Sequence, residues 1–420
     1  LDEANDLVVS GGDVDTAAAA AIQQISEYNE SGSAYEITDN AAAVISAGDS
    51  VIEDGGVTRV EVTGDASAAQ GVDLNAYSAN VDFDVRDTAE NIADNSGSLG
   101  KADEVSVISG GNAVDVAEAQ AIQGLAGYQT GASEYEIEDN SAAIISATDS
   151  TLANGNIHVD VTNTVGASDG AMLASFTADI DFDVADTAAN LAAQVASGVA
   201  QGYGPDSLDE ADSVFVESGT PVTAAQAESV QDLLNYSGGD IDITDNAANL
   251  ISAGDHVLNV TGVDVVTASD TSVTASIGGD LAGFTADVEF NVEDTANAIA
   301  AEVSASGFGA GGLDEANNLT VSGGNVDVAD AADIQAISGY DGSASDYDIT
   351  DTAATLISAG DSILNRAGVD TVSVTGGPVG ASDGAMLASF TADIDFDVSD
   401  TAANLAAQVA SGVAQGYGSD

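Results

Sequence analysis

Short runs of alternating apolar and polar residues recur along the chain, each followed by an alanine-rich stretch with apolar residues three or four positions apart. In the segment from Ile394, Phe396 and Val398 alternate with Asp395, Asp397 and Ser399, the period of a half-buried strand. After Asp400 the apolar positions Leu405, Val409 and Val413 fall at i, i+4 and i+8, one face of a helix. The grammar is strand, then helix. It returns as YEITDNAAAVIS, YEIEDNSAAIIS, IDITDNAANLIS and YDITDTAATLIS around Asp39, Asp139, Asp245 and Asp351, and in a second version at Asp87, Asp186, Asp294 and Asp400. Both series repeat at roughly 105 residues, the signature of an array. Four copies follow: 1–100, 101–206, 207–312 and 313–420. The stretch VGASDGAMLASFTADIDFDV at Val165 recurs unchanged at Val379, which points to duplication.

Repeated strand-then-helix units require parallel strands joined by right-handed crossovers. Each copy divides into about three such units of roughly 35 residues, too small to close a core alone. The expected fold is therefore α/β, a repetitive parallel strand/helix solenoid of stacked βα units, in preference to a string of separate small α/β domains. Roughly twelve rungs at about 4.8 Å would extend on the order of 60 Å. The recurring aspartates, Asp39, Asp87, Asp139, Asp186, Asp245, Asp294, Asp351 and Asp400, stand where a strand yields to a helix and are expected as N-caps, Asp87 forming a capping box with Glu90.

Composition sharpens this picture. The chain carries 71 acidic residues against four basic ones, Arg59, Arg86, Lys101 and Arg366, for a net charge of −67. Self-repulsion of that size calls for divalent cations, salt or a basic partner, and excludes nucleic acid, which needs a basic footprint. Apolar residues make up 44% of the chain and are patterned, which argues for a folded core over disorder. There is no cysteine, hence no disulfide framework and no thiolate chemistry. No apolar run is long enough for a membrane span. The closing GYGSD would join to the opening LDEAN as GYGPDSLDEAD joins the second copy to the third, so the sequence reads as a window of a longer array.

The DTAANL phrase after an alternating strand, with helix-forming stretches such as TPVTAAQAESV between, resembles the repeats of giant bacterial cell-surface proteins, the beta-strand repeat proteins. The likeness covers nearly the whole chain. It implies export and an extracellular role at the cell surface as adhesin, coat or filament.

Candidate chemistry is confined to carboxylates. Strands in register would set Asp82, Asp84, Asp181, Asp183, Asp395 and Asp397 in ladders on the solvent face. Two such charges about 5 Å apart repel by roughly 3 kcal/mol at an effective dielectric near 20, and Ca²⁺ is the expected counter-ion. Dedicated calcium motifs are not met. Asp82–Ala93 lacks the glycine and final glutamate of an EF-hand loop, and GGDVD at Gly11 and GGNVD at Gly323 carry Val14 and Val326 where the nonapeptide motif needs glycine. His158 and His256 occupy non-equivalent places and read as surface residues, Ser168 and Ser382 lie in glycine-rich stretches with no partner base, and carboxylate pairs are too common to nominate an acid–base dyad. The expectation is a non-enzymatic, extracellular structural repeat protein of a surface layer, filament or long adhesin. Its partners would be further copies of itself, with Ca²⁺ or salt as screen; the alternative is a glycan- or receptor-binding module using the variable glycine-rich loops.

Overall fold

The computed structural model describes residues 5–201, 208–306 and 312–415. The side chain of Val413 and the join around Gly204 lie outside what is described. The chain forms two compact units, Leu1–Asp186 with Gln194–Val214, and Thr187–Ala193 with Phe215–Asp420. Each is mixed α/β with several small parallel sheets.

In the first unit the strands Ser10–Val14, Ala34–Asp39, Val57–Val62 and Val81–Asp82 pair in chain order, all parallel. Asp84–Asp87 then pairs with Glu104–Val107, and Glu134–Asp139, Asn156–Val161 and Ile180–Asp181 form a third group. The second unit repeats the plan with Ile241–Asp245, Val263–Ala268 and Val288–Glu289, then with Asn291–Asp294, Asn318–Val326, Asp346–Thr352, Val369–Thr375 and Ile394–Asp395. A helix separates each pair of strands that hydrogen-bond to one another, as parallel pairing demands. The first copy holds four strand-then-helix units where the sequence suggested about three, its helices beginning at Thr16, Ala41, Ala68 and Ala89. The additional unit comes from the stretch after Val62, which forms the helix Ala68–Ala76 capped by Ser67 and Gln70.

Alternation places one side of every strand inward. Ile37, Val60 and Val81 lie side by side in register and are buried. Alanines meet them from the helices: Ala19, Ala119 and Ala331 are fully buried, their small side chains letting each helix lie close to its sheet. The GGDVD and GGNVD phrases are β-bulges. Gly11 and Gly12, like Gly323 and Gly324, have positive φ, and the strand register slips across them.

The recurring aspartates correct the sequence reading. None of the eight is an N-cap; the following residue is. Asn40, Asn140 and Asn246 and Thr88 and Thr352 are caps whose side chains accept from the amide three residues on. Thr187, Thr295 and Thr401 accept the same bond through Oγ1. Asp39, Asp87, Asp139, Asp245 and Asp294 are the last residues of their strands, and in all eight cases the aspartate side chain reaches sideways instead of along its own helix. Its Oδ2 accepts the first helical amide of the preceding helix: Thr16 to Asp39, Ala68 to Asp87, Val116 to Asp139, Ala167 to Asp186, Ala224 to Asp245, Ala275 to Asp294, Val328 to Asp351 and Ala381 to Asp400, all at 2.9–3.2 Å. In seven of these, Asp186 aside, Oδ1 accepts the amide of the next cap, as from Asn40 and Thr401. Each of these seven carboxylates thus binds the positive ends of two successive helices.

A second device closes the core at the end of a copy. Leu99, Leu208 and Leu313 are buried beside Gly71, Gly170 and Gly278, where an added Cβ would meet the leucine at 2.7, 3.4 and 3.2 Å. Four residues on, the amides of Asp103, Asp212 and Asn317 donate to the carbonyls of Phe83, Phe182 and Phe290, each at 2.9 Å. The shared pattern is L-x-x-A-D/N.

Candidate functional site

The solvent face of the sheets carries the carboxylates, and the register decides which meet. In the first copy Glu36 is paired with Arg59 and Glu61 with Asp82. Arg59 gathers all three acids: its Nη1 lies 3.1 Å from Glu61 and 3.8 Å from Glu36, and its Nε donates to Asp82. In the second copy His158 takes the place of Arg59, with Nε2 3.0 Å from Asp181 and 3.4 Å from Asp160, and Glu136 opposite it in register. The third and fourth copies solve the crowding differently. Val265 and Thr371 replace the basic residue, and Thr267 and Ser373 replace the acid of Glu61 and Asp160. At these register positions three carboxylates stand around a basic side chain in the first two copies, and two carboxylates stand without one in the last two.

The six expected ladder residues are therefore dispersed. Asp82 is bound to Arg59 and Asp181 to His158. Asp84 accepts the Glu104 amide at 3.1 Å, Asp183 accepts from Ser213 Oγ at 2.6 Å, and Asp395 lies opposite Ser373. Asp397 is exposed on the last strand segment, its backbone carbonyl holding the Val379 amide. Among the described residues, two groups bring three ligand atoms within 4.8 Å of one another: Glu136, His158 and Asp160, and Asp240, Asp242 and Asp264. The second is all oxygen, which suits a hard cation, whereas Ca²⁺ takes six to eight oxygens and neither group is a closed cage. The imidazole of the first group favours a softer divalent metal.

Crowding shows in the acidities. Glu136 is pushed above the ordinary range by sharing a hydrogen bond with Asp160, by burial and by the Asp160 charge, with His158 opposing. Asp103 is raised by burial and by Asp82 and Asp84, and Asp212 by burial and by Asp181 and Asp183. Three of the helix-linking aspartates, Asp39, Asp87 and Asp400, go the other way. The Thr16 hydroxyl holds Asp39 down, and at Asp87 burial is outweighed by bonds from Asn91, Ala68 and Thr88.

Sequence reasoning missed two features. One is the partnership of Arg59 and His158 with their acids, which aligning the four copies at that position would have shown. The other is a further set of aspartates, Asp149, Asp255 and Asp361, each opening a short helix and accepting the amide of Thr177, Thr285 or Thr391 some 30 residues later. His256 sits on one of those short helices, exposed and 3.8 Å from Glu228. No helix among the described residues is long and apolar enough to cross a membrane. No protein-family model matches this chain, and a search of curated proteins finds no match.

Proposed function

We propose that the chain is an extracellular structural repeat protein, part of a surface layer, filament or long adhesin, built as a solenoid of stacked βα units and screened by Ca²⁺ or salt. The observation that carries this reading is the eightfold aspartate link. All eight carboxylates hold the start of the preceding helix and seven of them also hold the start of the next, so cohesion runs from neighbour to neighbour instead of converging on one centre. The resemblance of the DTAANL phrase to bacterial cell-surface repeats supports the location. The net charge of −67 supports a medium that supplies cations.

Negative-stain imaging of native material with and without calcium tests the proposal. Ordered arrays or filaments that loosen on chelation are expected. Dispersed particles under both conditions would overturn it.

A further inference from the structure

Four copies of one strand set meet the same crowding of acids, and the second meets it differently from the rest. In the first copy Glu36, Glu61 and Asp82 surround the Arg59 guanidinium, three negative charges around one positive. The third keeps Asp242 and Glu289 at these positions and the fourth keeps Asp348 and Asp395, with Val265 or Thr371 in place of the base. Each of these three sets sums to −2. The second copy retains all three acids, Glu136, Asp160 and Asp181, yet places among them an imidazole, so with His158 neutral its sum is −3. A cation stands at this point in the first copy, and the second offers the same three acids around a side chain that has what a guanidinium lacks, a lone pair.

Strand register assembles the group. His158 and Asp160 lie two residues apart on one face of Asn156–Val161, Glu136 stands opposite His158 on Glu134–Asp139, and Asp181 stands opposite Asp160 on Ile180–Asp181. His158 Nε2 is 3.0 Å from Asp181 and 3.4 Å from Asp160, and Glu136, His158 and Asp160 each bring a ligand atom within 4.8 Å of the other two. Donors about 2.1 Å from a tetrahedral metal stand about 3.4 Å from one another, so small rotations of these half-exposed side chains converge them on one ion. Glu136 and Asp160 are close enough to share a hydrogen bond, a spacing that two charged carboxylates hold only around a cation or a proton. A hollow lined by Ser109, Gly110, Glu134 and Asn156 opens beside Glu136 and His158, with room for water on the outer side of an ion.

We propose that Glu136, His158, Asp160 and Asp181 form a site for a divalent transition metal of the Zn²⁺ kind, bound through the His158 Nε2 lone pair and carboxylate oxygens. The ion does in the second copy what Arg59 does in the first: it draws three strands together across their solvent face. It is distinct from a Ca²⁺ or salt screen, because Ca²⁺ and Mg²⁺ take oxygen ligands and gain little from an imidazole. His256 offers no second such site, lying 3.8 Å from Glu228 and in neither of the three-donor groups among the described residues.

Titration of the full 420-residue chain with ZnCl₂, followed by the imidazole ¹⁵N signals at about 0.15 M NaCl over a millimolar background of CaCl₂, tests this. The chain has two histidines and no cysteine, so His158 is read directly against His256 in the same sample. The His158 signals are expected to move to a bound set that is complete near one equivalent of Zn²⁺, while those of His256 stay in place. His158→Gln and His158→Arg should each weaken binding by at least about tenfold, the least that loss of even an outer partner costs a metal site. Both variants change a half-exposed side chain, and the first copy already carries arginine at this point, so each keeps the fold. ZnCl₂ should raise the melting temperature of the wild type and leave that of His158→Gln unmoved. His158 signals that do not move, equal movement of both histidines as a diffuse counter-ion cloud would give, or His158→Gln binding as tightly as wild type would each overturn the inference. None of these outcomes bears on whether arrays of the protein respond to calcium.

Discussion

Asp245 illustrates what a single carboxylate does in this protein. Its Oδ2 accepts the Ala224 amide at 3.2 Å, and its Oδ1 accepts from the Asn246 amide and from Asn249 Nδ2, both at 2.8 Å, at a position only 9% exposed. Asp245→Ala orphans these donors and should destabilise the unit that carries it by about 2–3 kcal/mol in urea unfolding, with Asp245→Asn recovering only part because its amide adds donors where acceptors are needed. The acid response has two opposite limbs. Asp39, Asp87 and Asp400 have folded acidities below the ordinary 3.8, so their stabilisation is present above that value and is lost as pH falls through the depressed one. Glu136, Asp103 and Asp212 are raised, so the cost of their charge applies at neutral pH and is relieved as pH falls toward their folded values. Melting temperature should therefore rise modestly on acidification from neutral, pass a maximum, and drop below about pH 4. The sequence showed these aspartates plainly but not their partners. Asp39 and Asn40 are both good caps by residue type, and only the sheet, which makes Asp39 the end of a strand, decides that Asn40 caps and Asp39 reaches across.

At the scale of strands, the four copies are four solutions to one electrostatic problem. Arg59→Ala leaves Glu36, Glu61 and Asp82 facing one another, and should lower the melting temperature by a few degrees at low salt and by much less at high salt. The double change Arg59→Thr with Glu61→Ser reproduces the arrangement of Thr371 and Ser373 and should restore most of the loss. His158→Arg places a permanent cation between Glu136, Asp160 and Asp181 and should stabilise the second copy at pH 7.5, an effect that scanning calorimetry would read. The strands and helices themselves were legible in the periods of two and 3.6, as at the strand Glu134–Asp139 and the helix Ala402–Gln415, whereas the alternation from Ile394 to Ser399 yields a strand only over Ile394–Asp395. The unit around Ala68–Ala76 was not, because Gly71 and two alanines dilute its apolar stripe, and Gly71 is small to admit Leu99 from a distant part of the chain. The candidate site was legible only as an excess of acid, since register, which a period cannot give, decides that Asp181 meets His158.

For the molecule as a whole, charge should dominate solution behaviour. Raising NaCl or adding CaCl₂ should increase the melting temperature of both units, with CaCl₂ effective at lower concentration if the Asp240, Asp242 and Asp264 group takes a cation; calorimetric titration against MgCl₂ would show whether size selection exists. The eightfold aspartate link has a further consequence for how such a protein changes over generations. Because each link reaches only from one helix to its successor, a crossover that removes or adds one whole period of about 105 residues joins like to like, and every carboxylate at the seam finds the same two donors. Chain length is then a quantity that unequal recombination can lengthen or trim without any compensating substitution, and selection can tune it as freely as it tunes copy number.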